Sequence, residues 1–119
     1  MRAPRLPARV CRPGCIVRCT RLGLRARCVR RRRLFDAIAR ELARDCRVIA
    51  YDRRGCGESG DAADGRYDLA AQAADLQAVV EHIGAPANVL AHSAGTLVAL
   101  ELLRANPAII SRAILHEPP

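Results

Sequence analysis

The stretch from Ala87 to Asn106 limits the possible folds of this chain more than any other part of the sequence. It reads ANVLAHSAGTLVALELLRAN: a short apolar run, a polar turn and an apolar-periodic helix with no loop between them. Such a tight reversal brings strand and helix backbones together, so the residues two before and two after its apex must be small. Ala91 and Gly95 are small, and Ser93 is the apex. Its side chain is predicted to project from the carboxyl end of a strand, toward the first amides of the helix.

A hydroxyl in that position suits nucleophilic attack, with the backbone N–H of Ala94 available to a developing oxyanion. The pentapeptide A-H-S-A-G resembles the G-x-S-x-G nucleophile elbow of the α/β-hydrolase superfamily, with Ala91 in place of the first glycine. For these five residues alone, a serine that simply caps a helix is the plainer interpretation. Other segments of the chain favour the elbow.

Two further segments resemble the same family. Asp52 to Ser59 reads DRRGCGES and is similar to the D-x-R-G-x-G-x-S loop that follows the fourth strand of many α/β-hydrolases. The final HEPP, residues 116–119, is similar to the end of the strand that follows the nucleophile helix in many bacterial members. We expect Asp52, Arg53 and Arg54 to brace their loop through local hydrogen bonds, with a catalytic role as the alternative.

Hydrophobic periodicity predicts helices alternating with strands. Helices are expected at 34–44, at 69–83 behind the N-cap Asp68, and at 94–105, and strands are expected at 47–51, at 88–91 and within 109–115. This order predicts parallel strands with right-handed crossovers. The fold class is therefore α/β: a partial α/β-hydrolase domain at residues 34–119, behind an irregular N-terminal segment.

Residues 1–33 differ sharply from the rest of the chain. They hold twelve of the twenty Arg, four of the six Cys and no acidic residue, whereas residues 34–119 carry a net charge of −4. We interpret them as a disordered, non-domain segment from a shifted reading frame or a wrongly chosen start; a nucleic-acid-binding arm and a leader are the alternatives. In the family they would replace the third strand, between 47–51 and 88–91, unless residues 15–19 fill that gap.

A serine hydrolase also needs a base, an acid and a second oxyanion donor. Some members of the family place the acid directly after the strand that ends here, which makes Glu117 a candidate. None of the three histidines is predicted to be the base for Ser93: His82 ends a helix, His92 leaves the turn in another direction, and His116 comes too early in the chain.

The second oxyanion donor of the family comes from a loop about a dozen residues before the helix at 34. Counting back places it near residues 20–23, where Gly23 could offer an amide.

The resemblance implies a hydrolase that cleaves a small ester or amide through Ser93. The chain is about half as long as such a domain usually is, so we expect a truncated member with little or no activity of its own. The alternatives are a non-catalytic fragment and a binding module with a basic arm.

We expect no cofactor and no metal ion, because the spacing C-x3-C-x3-C at residues 11–19 matches no zinc or haem pattern. The expected partner is a small-molecule substrate, with neither a membrane nor a nucleic acid. No apolar run reaches 18 residues and no apolar signal core follows the basic start, so a cytoplasmic location is expected.

Overall fold

The structure, a computed structural model, describes residues 14–19, 33–54 and 68–119. Its elements follow the chain as strands β1 to β4, helices α1 to α3 and a short 3-10 helix. They are β1 Gly14–Cys19, α1 Arg33–Leu42, β2 Cys46–Tyr51, α2 Leu69–Ile83, β3 Ala87–His92, α3 Ala94–Ala105, the 3-10 helix Pro107–Ile109 and β4 Ile110–His116.

The described strands form one sheet in the order β2-β1-β3-β4. β3 and β4 are parallel, with Leu90 opposite Ile114. β1 is antiparallel to both of its neighbours: Ile16 pairs with Ile49 of β2 and with Val89 of β3. Consequently β2, β3 and β4 point in one direction, and β1 points in the other.

The α/β architecture predicted from the sequence is confirmed, and the three predicted strands, here β2, β3 and β4, run in one direction as expected. No direction was predicted for β1, which is antiparallel to its neighbours. Residues 14–19 do fill the gap between β2 and β3, as an antiparallel strand. A short strand can pair in either direction, because both ladders satisfy its backbone N–H and C=O groups. Disorder was predicted for residues 1–33. Apart from 14–19 and Arg33, these residues (1–13 and 20–32) lie outside the described part of the chain.

Helix α2 has the boundaries that its sequence predicts. The carboxylate of Asp68 accepts a hydrogen bond from the backbone N–H of Ala71 at 2.6 Å, which caps the first turn. Gly84 follows the last turn with φ 99°, a conformation that glycine adopts without steric cost, and Pro86 comes next. α3 also spans the predicted residues, whereas α1 ends two residues earlier than expected.

The sheet is covered on both faces. On one face α1 packs through Ala39 against Cys46 and Val48 of β2. On the other face α2 and α3 form the larger core with β3, the 3-10 helix and the start of β4. Its buried members are Ala73, Leu76, Val80, Ile83, Ala87, Val89, Ala91, Val98, Ala99, Leu102, Ile109 and Ile110. β3 is shared between the two faces, because Val89 and Ala91 lie in the larger core and Leu90 packs against the smaller one.

Cys46, the first residue of β2, is disulfide-bonded, which was not predicted from the sequence. Within the described part of the chain, no helix is both long enough and apolar enough to cross a membrane.

Leu102→Ala is expected to lower the free energy of unfolding by about 2–5 kcal/mol, because it removes a fully buried side chain and leaves a cavity. Leu102 is 1% exposed in the larger core, whereas Leu100 of the same helix is 45% exposed. Leu100→Ala is therefore the matched control, and it should change the free energy by no more than about 0.5 kcal/mol. Chemical denaturation measures both; equal losses would contradict this packing of α3.

Candidate active site at the end of β3

Ser93 lies between β3 and α3 in a strained backbone conformation. Its φ is 50° and its ψ is −128°, a region that residues with a Cβ rarely occupy. The strand ends at His92 and the helix begins at Ala94, so the chain reverses at one residue, as the sequence predicts. The reversal lies at the carboxyl end of the parallel pair β3 and β4, where α/β folds bind their ligands.

Hydrogen bonds on both sides of Ser93 hold this conformation. Its backbone N–H donates to the carbonyl oxygen of His116 in β4 at 3.0 Å. Its carbonyl oxygen accepts the backbone N–H of Thr96 at 2.9 Å and the Thr96 hydroxyl at 2.7 Å. Thr96 is fully buried. The turn is thus fixed to β4 by its amide and to α3 by its carbonyl.

The close approach of β3 and α3 agrees with the small residues predicted at this turn. Ala91 and Gly95 are both buried. A Cβ added to Gly95 would lie 3.9 Å from the Cβ of Ala91, which is ordinary van der Waals contact. One methyl group would therefore fit at position 95, and a larger side chain would meet β3.

The first amides of α3 are the donors that this site can offer to an anion. Ala94 is the first helical residue, and its N–H belongs to the turn that has no acceptor four residues earlier in the helix. The N–H of Ser93 is already donated to β4. Ala94 therefore keeps the position predicted for an oxyanion donor.

Two histidines meet beside the turn. Nδ1 of His92 lies 2.8 Å from Nδ1 of His116, and the two rings are stacked with centroids 5.1 Å apart. His92 is 2% exposed, whereas His116 is exposed. His92 thus has the packing role predicted for the residue next to Ser93. Its contact with His116 was not predicted.

Glu117 follows directly after β4 and has φ 48°. Its Oε2 lies 3.9 Å from Nδ1 of His92. The structure therefore places this candidate acid next to the strand end that carries Ser93, and next to an imidazole. His82 is exposed in the last turn of α2.

Arg53 and Arg54 tie the carboxyl end of β2 to α2. Arg54 donates two hydrogen bonds to the carboxylate of Asp75, at 2.6 and 2.7 Å. Arg53, which is buried, donates to the side-chain oxygen of Gln72 at 2.7 Å. The bracing expected from the sequence was through local hydrogen bonds, whereas these bonds run to α2, 19 and 21 residues farther along the chain. Gly55 to Ser59 of the same loop lie outside the described residues.

Tyr51, the last residue of β2, stays neutral across the physiological range. Its burial raises the pKa of the phenol to about 12, and the nearby charge of Arg53 offsets part of that increase. The phenol therefore remains able to donate a hydrogen bond.

The direction of β1 bears on the predicted second oxyanion donor. Residues 20–23, including Gly23, lie outside the described residues. β1 ends at Cys19, whose partner in register is Cys46 at the amino end of β2. The chain therefore leaves β1 at the end of the sheet opposite Ser93, because β1 is antiparallel.

Residues 31–119 match the family model described as alpha/beta hydrolase fold. Two curated proteins, each named "Putative carbamate hydrolase RutD", are also similar. The one from Cronobacter sakazakii (strain ATCC BAA-894) is 39% identical over 75 residues, 62% of this chain and 28% of the relative. The one from Variovorax paradoxus (strain S110) is 37% identical over 70 residues, 58% of this chain and 26% of the relative. The matched part thus spans about a quarter of each relative.

Ser93→Gly is expected to raise the free energy of unfolding by about 1 kcal/mol over Ser93→Ala, because glycine occupies this φ and ψ without the strain that a Cβ causes. Both variants lack the hydroxyl, so their difference isolates the backbone. Thermal or chemical denaturation measures it. If Ser93→Gly were the less stable of the two, the backbone would not be strained at this turn.

Proposed function

Because this chain belongs to the α/β-hydrolase fold family, we propose that Ser93 is the nucleophile of a serine hydrolase that acts on a small ester, amide or carbamate. The observation that carries the proposal is the backbone of Ser93, with φ 50° at a one-residue junction of strand and helix. A strained conformation fixed by surrounding hydrogen bonds is typical of functional positions.

The proposed reaction begins with addition of the Ser93 hydroxyl oxygen to the substrate carbonyl carbon, while the hydroxyl proton passes to a base. Negative charge develops on the carbonyl oxygen, and the N–H of Ala94 donates to it. Collapse of the tetrahedral intermediate breaks the bond to the leaving alcohol or amine, which takes up a proton. Water then hydrolyses the acyl-serine and restores the hydroxyl.

The substrate class rests on two sources. The nucleophile geometry suits any small carboxyl derivative with an accessible carbonyl carbon. The two curated relatives are named as carbamate hydrolases, and a carbamate offers the same carbonyl with nitrogen on one side and oxygen on the other. We therefore include carbamates in the proposed class.

Glu117 is the proposed acid of the site. It follows the strand next to the nucleophile strand, and its carboxylate lies 3.9 Å from the His92 ring. A carboxylate in this place would orient an imidazole and stabilise its protonated form. Its contact is with a histidine that adjoins the nucleophile in sequence, so we assign the base for Ser93 to neither His92 nor His116.

A slow reaction is proposed for this chain. Ala94 is the one oxyanion donor that we assign, and loss of one such donor lowers kcat by about 10²–10³ in a well-studied serine protease. The alternative is a chain without catalytic activity, and reactivity of the serine distinguishes the two.

Labelling with a fluorophosphonate probe is expected to modify the wild-type chain at Ser93, since the probe reacts with activated serines and mimics the tetrahedral intermediate. Ser93→Ala should lose this label. Ser111→Ala is the matched control, because Ser111 is exposed on β4, and it should label as the wild type does. Mass spectrometry of the labelled peptide identifies the site.

Equal labelling of the wild type and Ser93→Ala would contradict the proposal. An unlabelled wild-type chain that unfolds cooperatively would instead favour the non-catalytic alternative.

A further inference from the structure

Three side chains with metal-binding atoms converge at the carboxyl ends of β3 and β4. The ring nitrogens of His92 and His116 and a carboxylate oxygen of Glu117 all lie within 4.8 Å of one another. The two imidazoles face each other through Nδ1, at 2.8 Å, and the carboxylate oxygen lies 3.9 Å from Nδ1 of His92. The family resemblance gave no reason to expect this cluster.

The backbone explains why these residues meet. His92 and His116 are partners in the parallel register of β3 and β4, and their strands are joined further by the hydrogen bond from the Ser93 N–H to the His116 carbonyl. Glu117 follows His116 directly, with φ 48°, and its carboxylate oxygen lies 3.9 Å from Nδ1 of His92. Both imidazoles are therefore presented by the sheet, and the carboxylate by the turn after it.

The distances suit ligands of one metal ion. With metal–nitrogen bonds of about 2.1 Å, two nitrogens are about 3.0 Å apart at the right angle of an octahedral site and about 3.4 Å apart at a tetrahedral angle. The observed 2.8 Å is closer to the octahedral spacing. The carboxylate oxygen is about 1 Å farther from Nδ1 of His92 than a right angle requires, and the whole cluster spans up to 4.8 Å. Its side chain is 71% exposed, so a rotamer change can bring it closer without disturbing the core.

The donor set also selects the kind of ion. Two imidazoles and one carboxylate are the ligands preferred by divalent ions of the later first-row transition series, while calcium and magnesium prefer oxygen ligands throughout. His92 is almost fully buried, which holds one ligand in place before the ion binds. Exposed His116 and Glu117 leave a route for the ion to enter.

We infer that His92, His116 and Glu117 form a binding site for a divalent transition-metal ion of the cobalt-to-zinc series. The sequence analysis predicted no metal, and this inference departs from it. It does not depend on Ser93 being a nucleophile, because the three ligands bind the ion whether or not the hydroxyl reacts. Glu117 is the proposed acid of the metal-free chain, and its carboxylate leaves that role when it binds the ion.

Titration of the full chain with Co²⁺ tests the site, with calorimetry for affinity and visible absorption for ligand type. We expect one equivalent of Co²⁺ with the d–d bands of nitrogen and oxygen ligands. The absence of a sulfur-to-cobalt charge-transfer band would separate this site from binding by cysteines.

The variants decide the assignment. His116→Ala should weaken Co²⁺ binding at least about tenfold, since even second-shell changes commonly cost that much, and Glu117→Gln should also weaken it. Both side chains are exposed, and far-ultraviolet circular dichroism checks that the variants stay folded. His82→Ala is the matched control and should bind as the wild type does. The inference is overturned if the wild type binds no Co²⁺, if the bound Co²⁺ shows only thiolate ligation, or if both ligand variants bind as the wild type does.

Discussion

The hydrogen bonds on the two sides of Ser93 are the constraint on which the site depends. A residue at φ 50° and ψ −128° is unfavourable by itself, at a cost of about 1–3 kcal/mol, and persists only when its surroundings fix it. Here the backbone N–H of Ser93 donates to the carbonyl oxygen of His116 in β4. The carbonyl oxygen of Ser93 accepts hydrogen bonds from both the backbone N–H and the hydroxyl of Thr96 in α3. The orientation of the Ser93 side chain is therefore set by tertiary contacts as well as by the local sequence.

Much of the fold could be predicted from the sequence, because helix caps, helix stops and apolar spacing mark the same segments that are buried in the structure. The cap at Asp68, the stop at Gly84 and the apolar spacing between them gave the bounds of α2. The exception is β1. Its residues were recognised as able to fill the gap in the sheet, but a six-residue strand carries no signal for its direction, since parallel and antiparallel ladders use the same backbone groups.

The candidate site was predictable only in its local part. The turn at Ser93 follows from small neighbours and the abrupt change of hydrophobic period, and its geometry was found as expected. The hydrogen bonds that Thr96 and His116 make to Ser93 could not be predicted. The bond from Thr96 depends on how deeply α3 is buried, and the bond to His116 depends on the register of β4. The nucleophilic role of Ser93 and the acid role of Glu117 stay predictions.

β3 belongs to both hydrophobic cores, with Val89 and Ala91 on one face and Leu90 on the other. A strand with packing on two sides moves when either side loosens. The helices on the two faces of the sheet are thus coupled through β3. Unfolding of either layer would also disturb the turn that follows this strand. A substitution far from Ser93, even under α1, would therefore displace the strand that carries the Ser93 side chain.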